Sequence, residues 1–291
     1  MKHYVGIDIG CTKMYFYAVV NGEYIEYKDS TGLDCPKERI KEAFEVFLEK
    51  LPYTPDGVGM AIPGLVKGDY MVEFSDMNGL NGVTNDYFSE GRFPLRFIND
   101  VKAATVFEVA NHPDSNTIAV IMAGSGIALG VYTDGKFITG THGFAGELGY
   151  CILNTENGPV KLDDIAGGIG ILNLAKCDAP TLLSRLEASD PTALSLIQQA
   201  GKYFGLALTN VIHLFNPDTI VVGGSTSTYK GYMENAIATA RLYTLEDLYK
   251  NCTITSPKDM KRIVALGAME YVKSNIQLQT VYWYFFNMYL P

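Results

Sequence analysis

Residues 4–20 read as alternating and carry β-branched and aromatic side chains, and Asn21-Gly22 breaks the run before Glu23-Tyr24-Ile25-Glu26-Tyr27. A period of two interrupted by Asn-Gly predicts antiparallel strands joined by tight turns, so three strands are expected here. Over residues 36–51 the apolar positions become Ile40, Ala43, Phe44, Phe47, Leu48 and Leu51, with Pro36 at the start. That spacing predicts one amphipathic helix. Residues 57–62 read as a buried strand closing at Pro63-Gly64, and residues 95–98 as another closing at Asn99-Asp100. A helix is expected to follow from about residue 101 to residue 110.

The pattern then restarts. Residues 117–122 predict a strand, Gly124-Ser125-Gly126 a turn, residues 127–133 a strand, Asp134-Gly135 a hairpin turn and residues 136–139 a third strand. In both copies a strand enters a Gly-containing turn, doubles back, and reaches a third strand through a two-residue Asn-Gly or Asp-Gly loop. Such an internal duplication is the mark of the α/β, actin-like ATPase (ribonuclease H-like) fold, two domains facing each other across a nucleotide and sugar cleft. Further on, residues 191–215 predict a long helix and residues 219–222 a strand. Gly223-Gly224-Ser225 then makes a strand-to-helix turn, and residues 261–274 form a last helix. The expected division is a small N-terminal domain of residues 1–113, joined by a C-terminal helix of about residues 262–291, and a larger domain of residues 114–261. The hinge is expected in residues 111–116, where linker-like composition appears.

Composition narrows the function. The 291 residues are 47% hydrophobic and 19% charged, enough for two ordinary cores. Lys and Arg number 23 against 32 Asp and Glu, a net charge of -9, so no field favours a polyanion and nucleic acid is excluded as a partner. Asp8 falls where a signal peptide would need its apolar centre, and a cytoplasmic protein is expected. The five cysteines, Cys11, Cys35, Cys151, Cys177 and Cys252, include no Cys-x-x-Cys pair and read as reduced thiols. The aromatic tail, residues 281–291, is too short to span a bilayer. It is expected to dock on the body or on a dimer partner rather than a membrane.

Chemistry concentrates at the turns. In Asp8-Ile9-Gly10-Cys11-Thr12-Lys13, Gly10 permits close backbone approach, Thr12 and Lys13 can donate to phosphate oxygens, and Asp8 can hold Mg²⁺ through water. A plain hairpin turn is the simpler alternative. Gly124, Ser125 and Gly126 are the equivalent turn of the second copy, and because a strand follows rather than a helix, a dinucleotide fingerprint is excluded. Asp100 stands where an Asp commonly caps a helix, or where it can serve as general base for a hydroxyl, with Asn99 on a neighbouring hydroxyl. Glu147 lies among small residues in His142-Gly143-Phe144-Ala145-Gly146-Glu147-Leu148-Gly149, a fixed acceptor for sugar hydroxyls or a surface loop acid. Gly223 and Gly224 let backbone approach a flat ligand such as adenine or ribose.

Taken in order, Asp-Ile-Gly-x-Thr-Lys, Pro63-Gly64, Asn99-Asp100, Gly-Ser-Gly-Ile, His-Gly-Phe-Ala-Gly-Glu-Leu-Gly and Asn-Pro-Asp-Thr-Ile-Val-Val-Gly-Gly at 216–224 resemble the ROK family over nearly the whole chain. The resemblance implies an ATP- and Mg²⁺-dependent sugar kinase with Asp100 as catalytic base. It implies sugar ligands at Asn99 and Glu147, with Asn78 and Gly64 on the small domain, and phosphate-binding turns at Asp8 to Lys13 and Gly124 to Ile127. It also implies a homodimer. The departures are as informative. Tyr150 stands where family members have a His serving sugar and zinc, and the following loop carries only Cys151. No zinc site is therefore expected. Asp163, in Leu162-Asp163-Asp164-Ile165-Ala166-Gly167-Gly168, is the shorter stand-in for a sugar-binding Glu. Cys11 replaces a Gly of the first turn.

The expected reaction is transfer of the γ-phosphoryl group of ATP to a hexose or N-acylhexosamine at the C6 hydroxyl, with domain closure excluding water. The alternative from another class is a catalytically weak or inactive homologue that senses a sugar. An actin-like chaperone or filament ATPase is argued against by residues 142–149 and the short chain.

Overall fold

The computed structural model describes the backbone of residues 2–288 and the side chains of residues 2–276. The aromatic tail, residues 281–291, and its docking lie outside the described residues. The chain divides into two compact units, Met1–Ala110 with Lys261–Pro291, and Asn111–Met260.

The first unit opens with strands β1 (Tyr4–Ile9), β2 (Lys13–Val20) and β3 (Glu23–Ser30), then helix α1 (Lys37–Leu48) and strand β4 (Gly57–Ile62). A small hairpin, β5 (Leu65–Lys67) and β6 (Met71–Phe74), precedes a 3₁₀ turn at Asn78–Leu80 and a short helix α2 (Asn85–Ser89). Strand β7 (Leu95–Asn99) runs straight into helix α3 (Asp100–Asn111). The sheet order is β3-β2-β1-β4-β7, with the first three strands antiparallel and β1, β4 and β7 parallel. β4 is buried at all six positions, as a strand covered on both faces must be. Ile40, Ala43, Phe44 and Phe47 of α1 are buried against Phe16, Phe88, Phe93 and Phe97.

The second unit repeats this order. Strands β8 (Thr117–Ala123), β9 (Ile127–Thr133) and β10 (Lys136–Phe137) are followed by a 3₁₀ turn at Leu148–Tyr150 and a hairpin, β11 (Ile152–Thr155) and β12 (Gly158–Lys161). Helices α4 (Leu162–Ala166), α5 (Gly168–Ala175), α6 (Ala179–Glu187) and α7 (Pro191–Phe215) lead to strand β13 (Thr219–Gly223). A 3₁₀ turn at Ser225–Thr228, helices α8 (Tyr232–Tyr243) and α9 (Glu246–Lys250) and strand β14 (Thr253–Thr255) complete it. The sheet order is β10-β9-β8-β13-β14, the counterpart, strand for strand, of the first sheet. α7 begins where Asp190 accepts from the Thr192 and Ala193 N–H groups, at 2.8 and 3.0 Å, with Pro191 in its first turn. It ends at Asn216, whose φ of 43° is the left-handed cap.

The chain then returns to the first unit as helix α10 (Ile263–Met288). It lies on β1 and β4, where Gly6 and Gly59 leave no side chain between sheet and helix backbone. Arg262 and Lys261 pin its start to Glu26 of β3 at 2.7 and 2.6 Å. Two expectations need correction. The third strand of the second copy stops at Phe137 rather than residue 139. The chain after Gly223-Gly224 first forms a 3₁₀ turn, and the α-helix begins only at Tyr232.

Candidate active site

In the first unit, β1 carries Asp8 to the head of the turn leading into β2. Asp8 keeps slight solvent access but is closely surrounded by protein. Burial, and then the like charge of Asp100, raise its pKa to about 7, while Lys13 pulls the other way. Cys11 is half-buried, its thiol pushed up by burial and then by Asp100 and Asp76. Asp8, Cys11, Asp76 and Asp100 therefore share one acidic neighbourhood. The turn itself is closed by the Gly10 N–H donating to the Lys13 carbonyl at 2.9 Å. Thr31, just after β3, fastens it: Oγ1 donates to the Gly10 carbonyl at 2.6 Å and the Thr31 N–H to the Thr12 carbonyl at 3.2 Å. Among the described residues, the Cys11 and Thr12 N–H groups have no hydrogen-bond acceptor. Carbonyls tied back and amides without acceptors are the arrangement in which a turn can receive an anion.

Asn99 and Asp100 divide the work at the start of α3. Asn99 Oδ1 accepts from the Lys102 N–H at 3.1 Å, which is the capping bond proper. Asn99 Nδ2 donates to the Gly64 carbonyl at 2.9 Å and to Asp100 Oδ1 at 3.0 Å. Asp100 Oδ1 also accepts from the Val101 N–H at 2.8 Å. With the cap supplied by its neighbour, Asp100 is oriented by two donors on one oxygen and directs its charge at Asp8 and Cys11. Gly64 has a φ of 117°, and a Cβ there would strike the Phe74 carbonyl. Asn78 is exposed on its 3₁₀ turn. That loop is stapled by the Ser75 N–H donating to Asn81 Oδ1 at 2.7 Å and the Met77 N–H to Ser75 Oγ at 3.1 Å.

In the second unit the turn between β8 and β9 is closed by the Gly124 N–H donating to the Gly126 carbonyl at 2.9 Å. The Gly124 carbonyl accepts from the Gly168 N–H at 2.9 Å and from Thr226 Oγ1 at 2.8 Å, and the Ser125 carbonyl from the Ile169 N–H at 2.9 Å. The Ile127 N–H donates to Asp163 Oδ1 at 2.7 Å. The Ser125 and Gly126 N–H groups have no acceptor among the described residues, as with the Cys11 and Thr12 amides of the first turn. Glu147 is exposed and heads the 3₁₀ turn at Leu148–Tyr150, placed there by the Gly146 carbonyl, which accepts from the Leu129 and Leu148 N–H groups at 2.8 and 2.7 Å. Gly223 is buried against Met122 and Pro257, and a Cβ at Gly224, φ 91°, would strike Ala123. Close packing leaves no room for a side chain at either glycine.

Tyr150 is 60% exposed, with Lys161 Nζ 4.6 Å from its ring centroid. The segment after it is the β11–β12 hairpin. Among the described residues, no group of three or more His, Cys, Asp or Glu side chains is arranged to hold a metal ion, and all five cysteines are free thiols. Thr31, Thr226 and the Gly168-Ile169 backbone are turn-fastening groups that no sequence pattern singles out. They lie 18 or more residues from the turns they hold.

Two sheets of matching strand order, each with a glycine turn after its first strand, define the duplicated actin-like ATPase fold. Solved structures agree on the fold. A ROK family glucokinase from Streptomyces griseus, in complex with glucose and AMPPNP, superposes with a TM-score of 0.77 at 18% identity, covering 94% of this chain and 99% of that one. A ROK hexokinase from Thermus thermophilus gives 0.75 at 22% identity over the same shares, 94% and 99%. The ROK family model matches residues 4–275, and the chain belongs to the ROK family. Among curated relatives, the N-acetylmannosamine kinase of Salmonella typhi is 27% identical over 254 residues, 80% of this chain and 87% of that protein.

Proposed function

We propose that this protein is an ATP-dependent sugar kinase that phosphorylates a hexose or N-acylhexosamine at its C6 hydroxyl. The observation that carries the reading is the placement of Asp100 beside the first turn, where its charge raises both Asp8 and Cys11 while Asn99 takes over the helix cap. Family membership and the N-acetylmannosamine kinase and glucokinase relatives support the reaction class. In the first unit, Gly10, Cys11, Thr12 and Lys13 receive phosphate oxygens, Asn99, Gly64 and Asn78 receive the sugar, and Asp100 accepts the hydroxyl proton. In the second unit, Gly124, Ser125 and Gly126 receive phosphate oxygens, and Glu147 and Tyr150 serve the sugar side. Gly223 and Gly224 border the nucleoside. The sugar oxygen forms its bond to the γ-phosphorus as the bond from that phosphorus to the β,γ-bridging oxygen breaks, and ADP leaves. Positioning and charge stabilisation supply most of the rate, because a loose transition state asks little covalent help. Asp8 would hold Mg²⁺ through water, and the ion would supply charge neutralisation at the phosphates. Asp8, raised by burial and then by the charge of Asp100, would be relieved by a nearby divalent cation.

ADP release measured over a panel of hexoses and N-acylhexosamines tests the reading. Asp100→Asn is expected to lower kcat by about 10²- to 10⁴-fold, the usual share of a general base, with Mg-AMPPNP binding retained. Equal rates for the variant and the wild type would overturn Asp100 as base. Calorimetric sugar binding with no phosphate transfer by the wild type would replace the kinase by a sugar sensor.

A further inference from the structure

Asp163 stands where the family resemblance implies a sugar-binding Glu, one methylene longer. In this chain its carboxylate is enclosed by backbone. Oδ1 accepts from the Ile127 N–H at 2.7 Å. A Cβ at Gly126 would lie 3.1 Å from Oδ2, one at Gly167 would lie 3.2 Å from Oδ1, and one at Gly149 would strike the carboxylate itself. Three glycines thus leave room for this one acid and little else. Its place is fixed from behind: Leu162 and Ala166, on either side of it in α4, are fully buried, and the buried Tyr232 hydroxyl donates to the Ala166 carbonyl at 2.9 Å. Burial, opposed by the bond from Ile127, raises the pKa of the acid.

The other bonds to the second turn hold its entrance. Gly168, Ile169 and Thr226 fix the Gly124 and Ser125 carbonyls and the Gly124 N–H holds the Gly126 carbonyl, while the Ile127 N–H is held by Asp163. An acid of this length reaches that amide.

We propose that Asp163 is a positioning residue for the nucleotide. It holds the Ile127 N–H so that the adjoining Ser125 and Gly126 N–H groups stay presented to a phosphate, and it does not bind the sugar. The inference rests on the kinase reading above and changes what that reading asks of the second unit. Sugar recognition there falls to Glu147 and Tyr150, and shortening Glu to Asp moves a carboxylate from substrate to turn.

Calorimetry on the full chain, with Mg-AMPPNP and separately with N-acetylmannosamine or glucose, whichever the wild type phosphorylates, gives the test. Asp163→Ala is expected to raise the Kd for Mg-AMPPNP about tenfold, the value of one lost bond to a charged acceptor, and to leave the sugar Kd within about twofold. Asp163→Asn keeps an oxygen for the Ile127 N–H and is expected to restore nucleotide affinity to within about threefold, with KM for ATP, not KM for sugar, following the same order. A sugar Kd raised tenfold by both substitutions, with nucleotide binding unchanged, would return Asp163 to the sugar, and no effect of either would remove it from the site. Amide hydrogen exchange on the wild type needs no variant. Ile127 is expected to be protected in the free protein, and Ser125 and Gly126 only with Mg-AMPPNP. Ile127 exchanging as fast as Ser125 in the free protein would overturn the anchor. Failure of the wild type to bind Mg-AMPPNP would instead overturn the kinase reading, while Ile127 would still report on Asp163.

Discussion

The two glycine turns occupy the same place in their sheets and are held in opposite ways. The first, Gly10 to Lys13, is tied at its carbonyls by a single residue, Thr31, and sits among ionisable groups: Lys13, Asp8, Asp100, Asp76 and the Cys11 thiol. The second, Gly124 to Ile127, carries no charge of its own and is tied by four groups, the Gly168 and Ile169 amides, Thr226 and Asp163. Duplication preserved the outward amides while the surroundings diverged. One copy gathered ionisable groups around its turn, and the other gathered hydrogen bonds. Burial of Asp8, and then the charge of Asp100 beside it, costs folding free energy, which is a usual condition of a site built for reaction.

The largest expected effect comes from the burial of Asp8, with the like charge of Asp100 second. An unfolded Asp8 releases its proton near the ordinary 3.8 and the folded one near 7. Between those values the folded chain binds one more proton than the unfolded chain, so stability falls as pH rises through the window and levels off above it. A shift of this size corresponds to up to about 4 kcal/mol. Asp8→Asn removes the dependence. In urea unfolding without ligand, the variant is expected to match the wild type near pH 4 and to exceed it increasingly up to pH 8. A difference that stays constant with pH would break the contrast between a charged first turn and a neutral second one.

The next effect tests the rigidity of the second turn. Gly149 is buried, and a methyl group there meets the Asp163 carboxylate. Either the Leu148–Tyr150 turn or Asp163 must move. Gly149→Ala is expected to lose about 2–3 kcal/mol, as overpacking with a backbone shift does, and to weaken Mg-AMPPNP binding along with stability. If Asp163 swings aside freely, stability is retained and only the Ile127 bond is lost, a result that the exchange rate of the Ile127 amide would reveal.

Much of this arrangement was legible in the residue order, for identifiable reasons. Strands β1, β2, β8 and β9 are runs rich in β-branched, aromatic and other apolar residues that end at glycine-containing turns, so their bounds follow from composition and turn chemistry. α7 is framed by Asp190-Pro191 and Asn216, and its predicted limits match the observed ones. The β5–β6 and β11–β12 hairpins went unread because strands of three or four half-exposed residues give too few positions to fix a period. α5 hid behind Gly168-Ile-Gly170, which reads as loop until the helix is packed. The site divides in the same way. Asp8, Asp100 and the glycines announce themselves by local pattern. Thr31 and Thr226 do not, since a hydroxyl bonded to a carbonyl across 21 or 102 residues leaves no local trace.

Those two threonines give the smallest effect and the sharpest comparison. Thr226 is 1% exposed and shares the Gly124 carbonyl with the Gly168 N–H. Thr226→Val keeps the shape, leaves the carbonyl one donor, and should reduce stability by about 1 kcal/mol. Nucleotide affinity should scarcely change, because Gly168, Ile169 and Asp163 still hold the turn. Thr31→Val removes the one side-chain tie to the Gly10 carbonyl among the described residues. The stability loss should be similar or smaller, since Thr31 is only half-buried, but KM for ATP is expected to rise about fivefold as the amides of Cys11 and Thr12 lose their fixed direction. The ratio of KM change to stability change therefore separates a redundantly fastened turn from a singly fastened one. If both variants shift KM equally, the difference in fastening has no functional weight, and the two turns differ only in charge.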